Sequence, residues 1–467
     1  MLTRFFSVAV LLCAATAAFA TPQIQHWQAP SGAHVYFVED HGLPMLDVAV
    51  NFPAGSGFDV AGKVGVASLT YGMLDLGAQG LNEDEIASKL ADVGAQMSGV
   101  FDDDRAGLTL RTLSSAAERD AALDVMAKCL QQPLFPEPIL AREKARMIAA
   151  LKEAETQPES IADKAFDKAV FGAHPYGWHT EVSDVEKIQR AELENFYHDH
   201  YSAKHAIVAL VGDVTRAQAE AIAQRLTASL PAGGADANIP QVMIRIKPSE
   251  QRIAHPASQS HILIGTPGIA RNDEDYFPLY VGNYILGGGG FVSRLMNEVR
   301  EKRGLAYSVY SYFIPMQQPG AFQIGLQTRK DQADEALRLV RQTLRTFVDK
   351  GVTEKELRAA KQNIIGGFPL RIDSNRKILD YLSVIGFYDL PLTYLDDFTA
   401  KVNKVTAKQI HDAFKRRIDP DALATVIVGA PQVGNPQPAA ELTPPAAVGV
   451  SAPAQAAMSA GTEQANQ

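Results

Sequence analysis

The 467-residue chain carries 44 lysines and arginines against 53 aspartates and glutamates, a formal charge of −9, and is 46% hydrophobic and 21% charged. This composition excludes a disordered or fibrous chain, and the acidic balance excludes a broad nucleic-acid surface, which needs clustered positive charge. Two cysteines are too few for a disulfide framework or an all-cysteine zinc site.

Residues 1–20 read as an export signal. Arg4 precedes an apolar run from Phe5 to Ala15, and the segment closes on Ala18-Phe19-Ala20, an A-x-A cleavage pattern. The run is shorter than the ~20 residues of a bilayer span. Leu12, ahead of Cys13, is not the small residue that precedes a lipidated cysteine. The expectation is therefore a periplasmic or secreted protein, cleaved after Ala20, with no membrane span. Cys129 is then the single thiol of the mature chain.

From there to about residue 430, one order of elements is written twice. In the first half (21–230), alternation predicts strands over 34–38 and 46–50. Helices follow over 64–77 and 82–93, the second opened by an Asn82/Glu85 capping pair. Segments 95–101 and 105–111 form a hairpin around Asp102-Asp103-Asp104, long helices such as 137–155 come next, and a strand over 206–211 closes the half at Gly212. A Pro/Gly/Ala stretch from Pro231 reads as a flexible linker (231–242).

The second half (243–430) repeats the order. It has a strand over 261–265, helices over 273–286 and 291–302, a hairpin of 307–313 with 321–327, helices through 330–418 and a closing strand over 424–429. The fold class is α+β: two homologous α/β-sandwich halves with helices packed on mainly antiparallel sheets. Two such units facing each other enclose a chamber. Residues 431–467, rich in Ala and Pro, read as a disordered tail.

Residues 62–74, GKVGVASLTYGML, resemble the inverted zinc-peptidase helix of the pitrilysin/insulinase family. The runs Leu286-Gly287-Gly288-Gly289-Gly290 and Arg300-Glu301-Lys302-Arg303-Gly304-Leu305-Ala306-Tyr307 resemble that family's second half. The resemblance covers about 25–430 and implies the fold of the LuxS/MPP-like metallohydrolases. Active members carry His-x-x-Glu-His on the first helix, two imidazoles for zinc and a carboxylate that takes a proton from zinc-bound water. Here those positions read Ser68, Tyr71 and Gly72, and the third ligand aligns near Ala149 and Ala150. A tyrosine of ordinary pKa about 10 does not replace the carboxylate. No family-type zinc site is expected, and no catalytic residue in this chain alone.

Elsewhere, His174 and His179 flank a loop, and His198 and His200 stand two apart, a spacing that does not share a helix face. The reading gives neither pair a metal; His198 and His200 end a helix and meet solvent. No Gly-x-Ser-x-Gly nucleophile elbow occurs in the sequence.

What remains is Arg300 with Tyr307, seven residues apart across the helix stop at Gly304. The resemblance implies that this pair binds substrate carbonyls and stabilises the oxyanion opposite the zinc. Gly287, Gly288, Gly289 and Gly290 form a substrate-adjacent loop, a close backbone approach or hinge rather than a phosphate cradle. Arg294, Lys302 and Arg303 read as a solvated face. Some members of the family divide the work between two chains, so the resemblance implies an exported non-zinc subunit of a heterodimer. It carries no cofactor, its homologous partner holds the zinc, and a peptide is the substrate. The alternative is an inactive pseudo-peptidase that serves as a peptide-binding or assembly scaffold.

Overall fold

The first sheet is built from β1 (Gln25–Gln28), β2 (His34–Glu39), β3 (Met45–Phe52), β4 (Gln96–Phe101), β5 (Ala106–Leu113) and β6 (Ile207–Gly212). The computed structural model describes residues 22–234, 238–244 and 246–429. The expected signal segment 1–20, the tail 431–467 and linker residues 235–237 lie outside the described residues. The sheet order is β1-β2-β6-β3-β5-β4, antiparallel except for β2 with β6. The alternation of β3 explains its place at the centre. Leu46, Val48, Val50 and Phe52 face one core, and Ala49 faces another. Asp47 lies opposite Arg111 in register, and the two form an ion pair at 2.8 Å.

The second sheet comprises β7 (Ser249–Ile253), β8 (Gln259–Pro267), β9 (Ala306–Phe313), β10 (Ala321–Arg329) and β11 (Ala424–Val428), ordered β9-β10-β8-β11-β7. From its other end this order repeats β2-β6-β3-β5-β4, and its one parallel pair, β11 with β7, falls at the same place. The duplication is thus written in the strand connectivity. Strand β7, absent from the sequence reading, is a short polar edge whose residues lack a buried face. Its register is imposed by β11.

Two helices cross between the halves. Pro158–Phe171, from the first half, lies on β8 and β11, with Ala162, Phe166 and Val170 packed on Leu263, Val426 and Val428. Asn375–Phe387, from the second, lies on β2, β3 and β6, with Ile378, Leu382 and Ile385 against Tyr36, Ala49 and Ala209. Close approach depends on two glycines. A Cβ on Gly265 would stand 2.7 Å from Phe166, and one on Gly386 would stand 2.6 Å from Tyr36 and Ile207. The faces expected to enclose a chamber are filled by these exchanged helices.

A buried carboxylate also ties the halves. Asp104, at the turn between β4 and β5, accepts hydrogen bonds from Tyr176 Oη (2.5 Å), Tyr388 Oη (2.8 Å) and the Gln317 backbone N–H (2.7 Å). Of the expected linker, Ile239 and Val242 are buried against Tyr176 and Met316, so this stretch packs rather than floats.

Candidate functional site

The predicted 64–77 helix is shorter, spanning Val66–Gly72. Its start is fixed from outside: the buried carboxylate of Asp59 accepts the N–H groups of Gly65 (2.8 Å) and Ala67 (2.9 Å). Burial pushes that carboxyl up to about 6. The next helix, Glu83–Asp92, has the reciprocal Asn82/Glu85 cap expected, at 2.8 and 2.9 Å.

On the short helix, Ser68 is partly buried, Gly72 is exposed, and Tyr71 stacks on Phe101 with ring centroids 5.4 Å apart. Burial raises the Tyr71 hydroxyl, moving it further from general-base chemistry. Ala149 and Ala150 lie exposed on Glu137–Ala154. A hydroxyl, a phenol, a bare backbone and two methyls do not fit zinc, which takes three or four His, Cys or carboxylate ligands. Among the described residues, no group of three or more His, Cys, Asp or Glu side chains is placed to hold a metal ion.

The stray histidines are engaged separately. His174 bonds the Pro240 carbonyl at 2.8 Å, and His179 bonds Asp167 at 2.9 Å. His198 is exposed at the end of Arg190–His200, as expected. His200 departs from expectation. It is packed against Phe196 and Phe58 and bonds the Pro53 carbonyl, and burial lowers its pKa.

In the second half, the helix Tyr276–Asn283 widens into a π-turn, Tyr284–Gly288. Gly287 lies directly on β9, where a Cβ would meet Ser311 N at 2.5 Å. Gly288 and Gly289 crowd Asn283 and Tyr284, and Gly290 adopts φ +59°. The glycine run is thus a packing turn, and it delivers Phe291, 65% exposed, to the surface.

Arg300 sits in a second π-turn, Met296–Glu301. The chain stops at Gly304 (φ +62°), whose N–H bonds the Arg300 carbonyl, and re-enters as edge strand β9. Tyr307 falls in an irregularity of the β9/β10 register and is 84% exposed. The two predicted residues meet: the Arg300 guanidinium carbon is 5.5 Å from the Tyr307 ring centroid and 4.7 Å from that of Phe291. Phe291 was missed in the sequence. Its one signal was an aromatic directly after the glycine run.

The neighbouring cations are held locally. Arg294 pairs with Glu356 at 2.7 Å, which pulls that carboxyl down to about 2. Lys302 and Arg303 both pair with Glu298. Beside them runs a groove of about 430 Å³, lined by Phe291, Val292, Arg294 and Glu298 among others. The arrangement therefore offers donors (a guanidinium with five N–H groups and an exposed phenol) next to an aromatic face. That chemistry suits oxygen-rich, extended ligands.

Comparison with known proteins gives a consistent answer. Residues 35–183 match the family model for insulinase (peptidase family M16), and residues 187–364 match that for the peptidase M16 inactive domain. The crystal structure of a peptidase M16 inactive domain from Pseudomonas fluorescens is similar, at 39% identity and TM-score 0.84, covering 88% of this chain and 99% of that one. Non-peptidase homolog YmxG of Helicobacter pylori is 26% identical over 84% of this chain and 91% of its own length. The periplasmic protease PqqL from Escherichia coli shares the fold at 14% identity and TM-score 0.74, this chain spanning 46% of it. Among the described residues, no helix is long and apolar enough to cross a membrane.

Proposed function

The chain belongs to the insulinase (peptidase M16) family, and from that premise we propose that it is the non-zinc subunit of a heterodimeric zinc peptidase, exported to the periplasm or beyond. In this reading a homologous partner holds the zinc. Arg300 and Tyr307 grip the peptide at the partner's metal and donate to the oxyanion of the tetrahedral intermediate. One such donor is worth roughly 10²–10³ in rate.

The observation that carries the reading is the convergence of Arg300 on Tyr307, with the tyrosine 84% exposed. A strand tyrosine kept for packing buries its ring; this one presents it. Ser68, Tyr71 and Gly72 agree with a chain that takes no zinc, and the match to the inactive domain supports the same division. The similar fold of a periplasmic protease supports export.

The scaffold reading is favoured by one finding, the name non-peptidase homolog carried by the Helicobacter relative. The deciding experiment is co-purification with a zinc-motif homologue from the same genome, followed by peptidase assay of the complex. Activity present only in the complex, and lowered by Arg300→Ala, supports the subunit. An intact complex without activity supports the scaffold. Peptide cleavage by this chain alone, abolished by chelation and restored by zinc, overturns both.

A further inference from the structure

Outside the site of Arg300 and Tyr307, two histidines meet at the edge of the first sheet. Strand β1 pairs antiparallel with β2 in the register His26↔Tyr36 and Gln28↔His34. His26 and His34 therefore stand diagonally across the two strands on one face, a spacing that long side chains bridge. Tyr36, buried below them, places its ring centroid 4.5 Å from that of His26. Asp389, held at φ +50° just beyond the exchanged helix Asn375–Phe387, brings a carboxylate whose charge reaches His26 and Tyr36. Both halves of the chain thus contribute to this corner.

The geometry of the pair is specific. The ring centroids are 5.7 Å apart, the ring planes are within 9° of parallel, and His26 Nε2 faces His34 Nδ1 at 3.5 Å. Nitrogens so much closer than centroids put the rings edge to edge in nearly one plane, with both nitrogens on the line between them. That gap is longer than the ~3 Å of a good N–H hydrogen bond. Among the described residues, neither ring has another hydrogen-bond partner. Burial, and after it the charge of His34, holds the His26 pKa below its ordinary value, so the ring is neutral at neutral pH. With the ring protons on His26 Nδ1 and His34 Nε2, both facing nitrogens present lone pairs.

We propose that His26 and His34 bind one copper(I) ion in line between them. Coordination number decides the metal. Zinc takes three or four protein ligands from converging directions, and among the described residues no third histidine, cysteine or carboxylate is placed to join this pair. Two opposed imidazole nitrogens suit a monovalent d10 ion that is content with two ligands on one axis. The rings part slightly to admit it, which a sheet edge with an exposed His26 allows. Asp389 offsets the added charge, and Tyr36 closes the floor. The ion enters as copper(I), so no electron is transferred, and the choice of tautomer frees both lone pairs without releasing a proton. The pair is independent of the reading of Arg300 and Tyr307.

The test is anaerobic titration of the chain from Thr21 onward with copper(I), in competition with a chromophoric copper(I) chelator. The expected result is one ion held per chain, with the X-ray absorption edge of a two-coordinate, nitrogen-ligated copper(I). His26→Gln and His34→Gln each weaken binding by more than about tenfold. Cys129→Ala, which removes the single thiol of that chain, and His198→Gln, at an exposed histidine elsewhere, leave it unchanged. No uptake by the wild type, or an edge showing three or more ligands, overturns the proposal. Uptake undiminished in the folded His26→Gln/His34→Gln variant, or lost in folded Cys129→Ala, means adventitious binding elsewhere and overturns it equally. Because the wild-type titration and its edge stand by themselves, a variant that fails to fold does not shield it.

Discussion

The hydroxyl of Tyr388 donates a 2.8 Å hydrogen bond to Asp104, a residue from the turn of the opposite half. Tyr388 follows the exchanged helix Asn375–Phe387, so the bond fixes the end of that helix to the first sheet. With Tyr176 and the Gln317 N–H also on Asp104, removing one donor leaves the buried carboxylate under-satisfied. Tyr388→Phe is expected to cost about 1–3 kcal/mol, read by urea denaturation. Asp104→Ala, which orphans three donors, costs more. An unchanged midpoint for both would refute the role of this junction.

Asp103 gives a pH dependence. Burial pushes its carboxyl up to about 7, while Ser56 donates to it at 2.6 Å. The folded state therefore keeps a proton that the unfolded state has released above pH about 4. That contribution is fully present below about 4 and lost as pH rises through about 7. Asp103→Asn is expected to flatten the decline over this window by up to about 4 kcal/mol, measured as unfolding free energy against pH. A wild-type curve that rises across the window would contradict it.

Gly386 tests the helix exchange. Its missing Cβ is where Tyr36 and Ile207 approach. Gly386→Val should destabilise by about 1–3 kcal/mol through overpacking. Gly366, with nothing within 4 Å of its Cβ position, tolerates Ala as a control. Thermal melts of the two variants separate them.

Tyr307→Phe and Phe291→Ala remove exposed groups, so melting temperatures stay within about 2 °C of wild type. In an assembled complex with a zinc-motif partner, Tyr307→Phe is expected to lower kcat by about 10²–10³. A stability loss without a rate loss would assign Tyr307 to packing.

Zinc content tests the lost motif directly. Wild-type protein dialysed against zinc and then buffer should retain well under about 0.1 zinc per chain. Ser68→His with Gly72→His places two imidazoles four residues apart on one helix face, and Ala150→Glu offers a third ligand. Retention by this variant and not by wild type is the expected contrast, read by elemental analysis.

Much of this was legible in the sequence because it is local. Alternation marked β3, a side chain three residues on marked the Asn82 cap, and Gly304 marked the stop that brings Arg300 to Tyr307. What escaped is long-range. Strand β7 is polar and paired only because β11 lies beside it. The 64–77 helix ends at Gly72 and is capped by Asp59, outside the apparent pattern. The sequence places Asp102-Asp103-Asp104 at a hairpin turn, and only tertiary packing buries Asp104 there. His200 looked like a fraying terminus until Phe58 covered it.

The exchanged helices carry a consequence for how the molecule holds together. Each half covers one face of its sheet with its own helices and has the other face covered by a helix of its neighbour. Cleavage of the chain within 235–237 would leave two polypeptides clasped by burial and by the hydrogen bonds on Asp104, migrating as one particle and melting as one. Expressed separately, the same two polypeptides would be orphans, each with a greasy sheet face bare. The pair of halves, and not the half, is the unit in which both faces of each sheet are covered.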